Sequence, residues 1–165
     1  MHRMQKADKM QKADKICWFA ARTRNGQWKK NSRRLGELGV ECFVPESYNT
    51  LLFLHTGKAR ALSLVNSGEI SARFMIDHGT GTLLEVPAKQ MEDFIRVLNE
   101  MPEARYTSEF TFAKGDHVKV VSGPLKGVEG DIVETEEGTF LTVRVLSLLC
   151  ALVKIPRGYV VPAHE

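Results

Sequence analysis

Shortly after residue 100 the spacing of apolar residues changes from one pattern to another. This change constrains the fold more than any other feature of the sequence. Before it, short apolar runs alternate with segments whose apolar residues recur every three or four positions, which predicts strands alternating with helices. After residue 114, apolar and polar residues alternate with a period of two between glycine-rich turns, which predicts short antiparallel strands. We therefore expect two domains of different class.

The amino-terminal part predicts a compact α/β sandwich. Strands are expected at 16–21, 40–44, 50–55, 73–77 and 82–86, and helices within 26–39, 58–65 and 87–101. The last helix has the clearest pattern, because Met91, Phe94, Ile95 and Leu98 recur at i, i+3, i+4 and i+7 after Pro87. The turn-rich DHGTG between the last two strands predicts a hairpin.

The carboxy-terminal part predicts four or five strands, and a run of that kind commonly closes into a small barrel. The predicted organisation is a polar tail at 1–15 that repeats the hexapeptide MQKADK, a sandwich domain at 16–102, a polar linker at 103–113 and a barrel at 114–165. The tail lacks a large apolar face, and we assign it no function.

Composition places the chain among soluble proteins. Hydrophobic residues make up 43% and charged residues 26% of the sequence, which is ordinary for a globular protein. No apolar run approaches the roughly 18 residues that a membrane span needs, and the amino terminus lacks a signal-peptide core, so we expect a cytoplasmic protein with no membrane partner. The single cysteines Cys17, Cys42 and Cys150 have no metal-ligand or disulfide spacing, and we interpret them as core residues.

Two segments resemble a known family. GDHVKVVSGPLKGVEGDIVE, residues 115–134, is similar to a KOW motif, and WFAARTRNGQWKKNSRRLGELGVECFVPE, residues 18–46, resembles the opening of the NusG amino-terminal domain. RFMIDHGTGTLLEVPAKQMEDFIRVL, residues 73–98, is most similar to specialised UpxY-like paralogues that act on capsular-polysaccharide operons. The resemblance implies an α+β protein: a ferredoxin-like sandwich followed by a small Tudor-like β-barrel.

The resemblance further implies a transcription elongation or antitermination factor that binds the RNA polymerase clamp and the displaced non-template DNA. The KOW barrel would then recruit a second partner, with a ribosomal protein or a termination factor as the candidates. The alternative is a ribosome-associated RNA-binding protein, because ribosomal proteins also carry KOW motifs. The net acidic charge of the barrel disfavours this alternative, since an RNA-binding surface carries excess Lys and Arg.

The candidate polymerase-binding residues are apolar or aromatic and lie around the third strand: Phe43, Tyr48, Leu51 and Phe53. Exposed side chains of this type cost solubility and tend to mark an interface. The competing interpretation of Leu51 and Phe53 is that they are strand core. The sequence also departs from the family here, since the usual proline and second aromatic are replaced by Asn49 and Leu51.

A basic cluster follows the first strand. Six cations lie between Arg22 and Arg34 with no acid among them, and such a cluster at a helix entry attracts phosphates. The candidate nucleic-acid-facing residues are Arg22, Arg24, Gln27, Lys30, Arg33 and Arg34, and Lys29 belongs to the same cluster. A solvated helix face is the competing interpretation.

Four glycines and one proline of the KOW segment are predicted to set its turns. These residues are Gly115, Gly123, Pro124, Gly127 and Gly130. Gly127 is expected at a dihedral that a side chain would oppose, and Gly130 in a crowded barrel strand. The sequence contains no nucleophile motif, phosphate-binding loop or acidic metal cluster, so we expect neither catalysis nor a cofactor or metal.

Overall fold

The structure is a computed structural model that describes residues 15–108 and 115–163. Residues 1–14 of the polar tail and residues 109–113 of the predicted linker lie outside these residues. Contacts divide the chain into two units, Met1–Val86 and Pro87–Glu165. Among the described residues, no helix is long and apolar enough to cross a membrane.

The first unit has the strand order of a ferredoxin-like fold. Its elements are β1 (Ile16–Arg22), α1 (Trp28–Glu37), β2 (Glu41–Phe43), a 3-10 turn (Glu46–Tyr48), β3 (Leu51–Gly57), α2 (Lys58–Asn66), β4 (Arg73–Phe74) and β5 (Glu85–Val86). The strands are antiparallel in the order β2-β3-β1-β4, and β5 also pairs with β1. This βαββαβ arrangement confirms the predicted sandwich.

The two faces of this sheet differ in what they carry. Phe19 and Ala21 of β1 and Leu52 and Leu54 of β3 belong to core clusters that include residues of both helices, such as Leu35 of α1 and Ala61 and Leu64 of α2. We call this the helix face. Since side chains alternate along a strand, the neighbouring residues lie on the other side, which we call the opposite face. It carries Trp18, Ala20, Leu51, Phe53 and Val86.

The predicted hairpin between β4 and β5 is present. The Asp77 amide donates to the Thr82 carbonyl at 2.8 Å, and Gly81 has a φ of +71° in the turn. A left-handed dihedral of this kind favours glycine, which explains the composition of this turn.

The second unit begins with α3 (Ala88–Glu100) and continues as an antiparallel barrel of six strands. They are β6 (Arg105–Thr107), β7 (Asp116–Val120), β8 (Glu129–Thr135), β9 (Gly138–Val145), β10 (Leu149–Lys154) and, after a 3-10 turn (Arg157–Tyr159), β11 (Val160–Pro162). Their order is β11-β7-β8-β9-β10-β6. Alternating residues such as Val118, Val120, Leu141 and Val143 are buried in it. The mixed α and β fold class is therefore as expected.

Two details differ from the expected organisation. Strand β6 lies within the predicted linker, and Tyr106 is the register partner of Ala151 in β10. Helix α3, predicted as the last element of the sandwich domain, is grouped with the barrel. Pro87 is its N-cap with an extended ψ of 130°, so the helix starts at Ala88, one residue later than expected.

Helix α3 is joined to the barrel by packing and by polar contacts. Phe94 is buried and packs edge-on against Tyr106, with 6.0 Å between the ring centroids. Asp93, only 4% exposed, accepts hydrogen bonds from the Glu129 amide at 3.1 Å and from Lys89 Nζ at 2.9 Å. Because a buried carboxylate is costly unless it is paired, these contacts fix the position of the helix on the barrel.

Candidate functional site

The predicted polymerase-binding residues lie at β2, β3 and the turn between them. Phe43 and Phe53 are register partners on the opposite face, with their ring centroids 6.3 Å apart. Leu51 is 4% exposed and Phe53 is 0% exposed, whereas Phe43 and Tyr48 are half-buried. Phe43 and Tyr48 are therefore the two candidates that reach the surface in this structure.

Tyr48 owes its position to a local turn. Pro45 has a fixed φ of −64° and caps the 3-10 turn, and the Tyr48 amide donates to the Pro45 carbonyl at 3.2 Å. A proline at this point restricts the chain before the turn and so orders Tyr48 at low entropic cost. The turn leads directly into β3 at Leu51.

A stacked pair occupies the same face beside these residues. The rings of Trp18 and His55 stack with 4.5 Å between centroids and an angle of 10°. His55 Nδ1 lies 2.6 Å from the Glu41 carboxylate. Trp18 is 4% exposed and is therefore a core residue. His55 therefore has a structural role, covering Trp18 and pairing with Glu41.

Helix α1 presents part of the basic cluster on one surface. Asn31 and Leu35 are buried, while Lys29, Lys30 and Arg33 are exposed. At helical spacing these three cations lie on the side away from the buried residues. Asn31 anchors the helix, because its amide group exchanges two hydrogen bonds with the Ser71 backbone, at 2.9 and 3.0 Å. The three cations are thus held on a fixed support.

The start of α1 is unusual in its charges. Its first turn contains no acid, its N-cap Gln27 makes no side-chain capping bond, and Lys29 and Lys30 occupy the first turn. Cations near the positive end of the helix dipole are unfavourable by about 0.3–1 kcal/mol each. This arrangement costs stability in the free chain, and an anion bound nearby would reverse that cost.

The remaining basic candidates are distributed differently. Arg24 is exposed and Gln27 half-buried in the loop before α1, and the Gln27 amide donates to the Arg24 carbonyl at 3.2 Å. Arg34 donates from Nε to the Glu69 carboxylate at 2.5 Å and lies 3.9 Å from Glu37. Arg34 thus pairs within the fold and is not brought together with the exposed cations.

Arg22 lies apart from α1 and has a neighbour that sequence reasoning missed. It is the register partner of Arg73 on β4, and both side chains are exposed. Arg22 follows Trp18 and Ala20 on the opposite face, whereas α1 covers the helix face. Arg73 is 51 positions away in the sequence, and only the pairing of β4 with β1 could have identified it.

The KOW glycines have conformations that match their predicted roles. Gly123 and Gly127 have φ values of +83° and +96°. A Cβ atom at Gly130 would collide with the Thr142 carbonyl oxygen, and one at Gly115 with the Ile132 carbonyl oxygen. The first pair permits the turn between β7 and β8, and the second pair permits close approach of neighbouring backbones.

The cysteines do not form a reactive or metal-binding centre in the described residues. Burial raises the pKa of the Cys150 thiol to about 11. Burial is also the main cause that raises the pKa of Cys17, with Glu85 adding to it, and that of Cys42. These thiols stay protonated near neutral pH, and within residues 15–108 and 115–163 no group of three metal-binding side chains occurs.

Comparison with known proteins identifies one motif. The family model described as the KOW motif matches residues 114–147. No curated protein matches the sequence significantly. Among solved structures, a crystal structure of the MjSpt4:Spt5 complex in conformation B aligns with a TM-score of 0.33 and 20% identity, over 90% of this chain and 99% of that chain. The fold described above rests on the strand orders of the two units.

Proposed function

We propose that this chain is a NusG-like transcription elongation factor that binds RNA polymerase through its first unit. The observation that carries the proposal is a ferredoxin-like unit followed in one chain by a KOW barrel, the order found in the family that the sequence resembles. The protein acts by binding in the cytoplasm and needs no catalytic group or cofactor. By bridging the polymerase clamp across the nucleic-acid channel, the protein raises the free-energy cost of the clamp opening that accompanies pausing.

The polymerase contact is centred on Phe43 and Tyr48. Both are aromatic, both are half-buried, and both lie beside β3. The family resemblance implies that the partner is a coiled coil of the polymerase clamp, and partly exposed aromatic side chains are the residues that most often dominate such interfaces. The buried Phe53 packs beside Phe43 as its register partner, and the buried Leu51 begins the strand that follows the Tyr48 turn.

The nucleic-acid contact is centred on the loop before α1 and on its exposed side. Arg24 and Gln27 lie in the loop, and Lys29, Lys30 and Arg33 project from the helix. Cations without acidic neighbours release counterions from a phosphate backbone, which gives affinity without sequence selection. The partner we assign to this surface is the displaced non-template strand.

The KOW barrel recruits a second partner in this proposal, a ribosomal protein or a termination factor. The specialisation is antitermination on long biosynthetic operons such as those for capsular polysaccharide, as for UpxY-like paralogues. The resemblance of residues 73–98 supports this narrower assignment. Transcription of a long operon with and without the factor tests it, and unchanged read-through would contradict it.

The test of the polymerase contact compares two tyrosines in similar settings. Tyr48 and Tyr159 each end a 3-10 turn that follows a proline, one in each unit. Tyr48→Ala is expected to weaken binding to purified core polymerase by about 30-fold, the effect of losing an interface hot spot worth about 2 kcal/mol. Tyr159→Ala is expected to bind as the wild type does. Equal affinities for all three proteins would refute the assigned surface.

A further inference from the structure

We propose that Arg22 and Arg73 form a paired guanidinium site at the edge of the opposite face. This site binds a carboxylate of the protein partner that Phe43 and Tyr48 contact in the proposed function. The inference rests on the proposed function, because that partner is the polymerase. It moves Arg22 from the nucleic-acid surface to the protein-docking surface and adds Arg73, which sequence reasoning did not identify.

The geometry places the two guanidinium groups together. Arg22 and Arg73 are register partners of the antiparallel strands β1 and β4, as are their neighbours Ala21 and Phe74. Ala21 and Phe74 both pack in the helix-face core. The two arginines therefore point to the opposite face, where directly paired residues have Cβ atoms about 4.5–5.5 Å apart. Both are exposed.

The charge arrangement indicates an anionic ligand. Like charges directly opposite each other on a sheet are destabilising. In the part of the chain that the structure describes, neither Arg22 nor Arg73 makes an ion pair or a side-chain hydrogen bond. The acid Glu41, on the same face, lies against His55. An incoming carboxylate relieves the repulsion and receives bidentate hydrogen bonds from guanidinium groups.

The surroundings favour a protein over a nucleic acid. Arg22 is the register partner of Leu51, and the same face continues through Phe53 to its register partner Phe43, which is half-buried. A protein surface offers apolar side chains and a carboxylate together, whereas a phosphate backbone offers only charge.

The test compares two double variants that remove the same charge from different surfaces. Arg22→Gln with Arg73→Gln is expected to weaken binding to core polymerase without nucleic acid by about tenfold, since a hydrogen bond to a charged group contributes that much. Lys119→Gln with Lys126→Gln, which replaces two exposed cations of the second unit, is expected to leave this affinity unchanged. Binding of wild type to core polymerase tests the proposed function separately.

Two results would overturn the inference while leaving the proposed function intact. One is wild-type affinity of the Arg22 and Arg73 double variant for core polymerase. The other is a loss seen only when a transcription bubble is present, which would assign the pair to nucleic acid. Failure of wild type itself to bind core polymerase would remove the proposed function.

Folding of the variants has its own readout. Replacing Arg22 or Arg73 by glutamine removes one of two opposed like charges, and is expected to raise the thermal unfolding midpoint of the free chain by about 1–3 °C. Arg73→Lys keeps the charge but loses the planar fork, and is expected to bind with an affinity between wild type and the Gln variant. A binding loss in the Gln variants accompanied by a lowered thermal midpoint, with Arg73→Lys equal to wild type, would refute bidentate recognition.

Discussion

Replacing Asp93 by alanine is expected to detach helix α3 from the barrel. Asp93 is 4% exposed and receives hydrogen bonds from the Glu129 amide at 3.1 Å and from Lys89 Nζ at 2.9 Å. The substitution leaves the Glu129 amide without its acceptor, which costs about 1–3 kcal/mol, and removes a charge-assisted bond worth about 1.5–3 kcal/mol. Lys89 is half-exposed at 50%, so solvent replaces part of the second contribution.

We therefore expect a loss of about 3 kcal/mol in the free energy of unfolding of the second unit. Urea unfolding followed by circular dichroism measures it, and hydrogen exchange of the α3 amides reports on the helix itself. Glu92→Ala is the matched control, because its carboxylate is adjacent in the same helix and exposed. Asp93→Asn keeps an acceptor for the Glu129 amide and is expected to lose less. Equal stability of the Asp93→Ala and Glu92→Ala variants would show that the Asp93 carboxylate does not hold α3 on the barrel.

Three further predictions concern the barrel and the basic surface. Gly130→Ala is expected to destabilise the second unit by more than Gly127→Ala does. A Cβ at position 130 would meet the Thr142 carbonyl oxygen, whereas the positive φ at position 127 alone costs about 1 kcal/mol. Similar urea midpoints for the two variants would contradict this. Raising the pH from 9 to 11 is expected to lower the free energy of unfolding of the second unit. Burial lifts the pKa of Cys150 from 9.0 to about 11, so the thiol of the unfolded chain ionises at a lower pH than that of the folded chain. Unfolding of Cys150→Val measured across this pH range should lack this contribution. Charge reversal at Arg24 and Lys30 is expected to weaken binding to a complex with a transcription bubble, and more so at low salt; an unchanged affinity in fluorescence titrations would remove the role facing nucleic acid.

Local patterns predicted most of the elements. The apolar run that begins at Ile16 forms a strand, and the helix with Met91 and Phe94 forms with these residues buried. The positive φ at Gly127 and the crowding at Gly130 were also readable, because they depend on the immediate chain and its nearest strand. These features follow from short-range geometry, which a sequence expresses directly.

Features that depend on distant partners were not predictable in the same way. Arg105–Thr107 is too short to show a period of two, and it becomes a strand only because β10 pairs with it. The amphipathic pattern of α3 gives the direction of its buried side but not what that side packs on. Arg34 looked like the other cations, and only the fold brings Glu69 to it. Arg73 joined the candidate surface for the same reason.

Site-specific cross-linking reports directly on what Tyr48 contacts in an elongation complex. A photoreactive amino acid at position 48, and another at position 159, would be placed in otherwise wild-type chains bound to active elongation complexes. We expect position 48 to cross-link to the polymerase clamp, and position 159, on the barrel, not to do so. Cross-linking of position 48 to ribosomal components alone, or no preference between the two positions, would contradict this expectation.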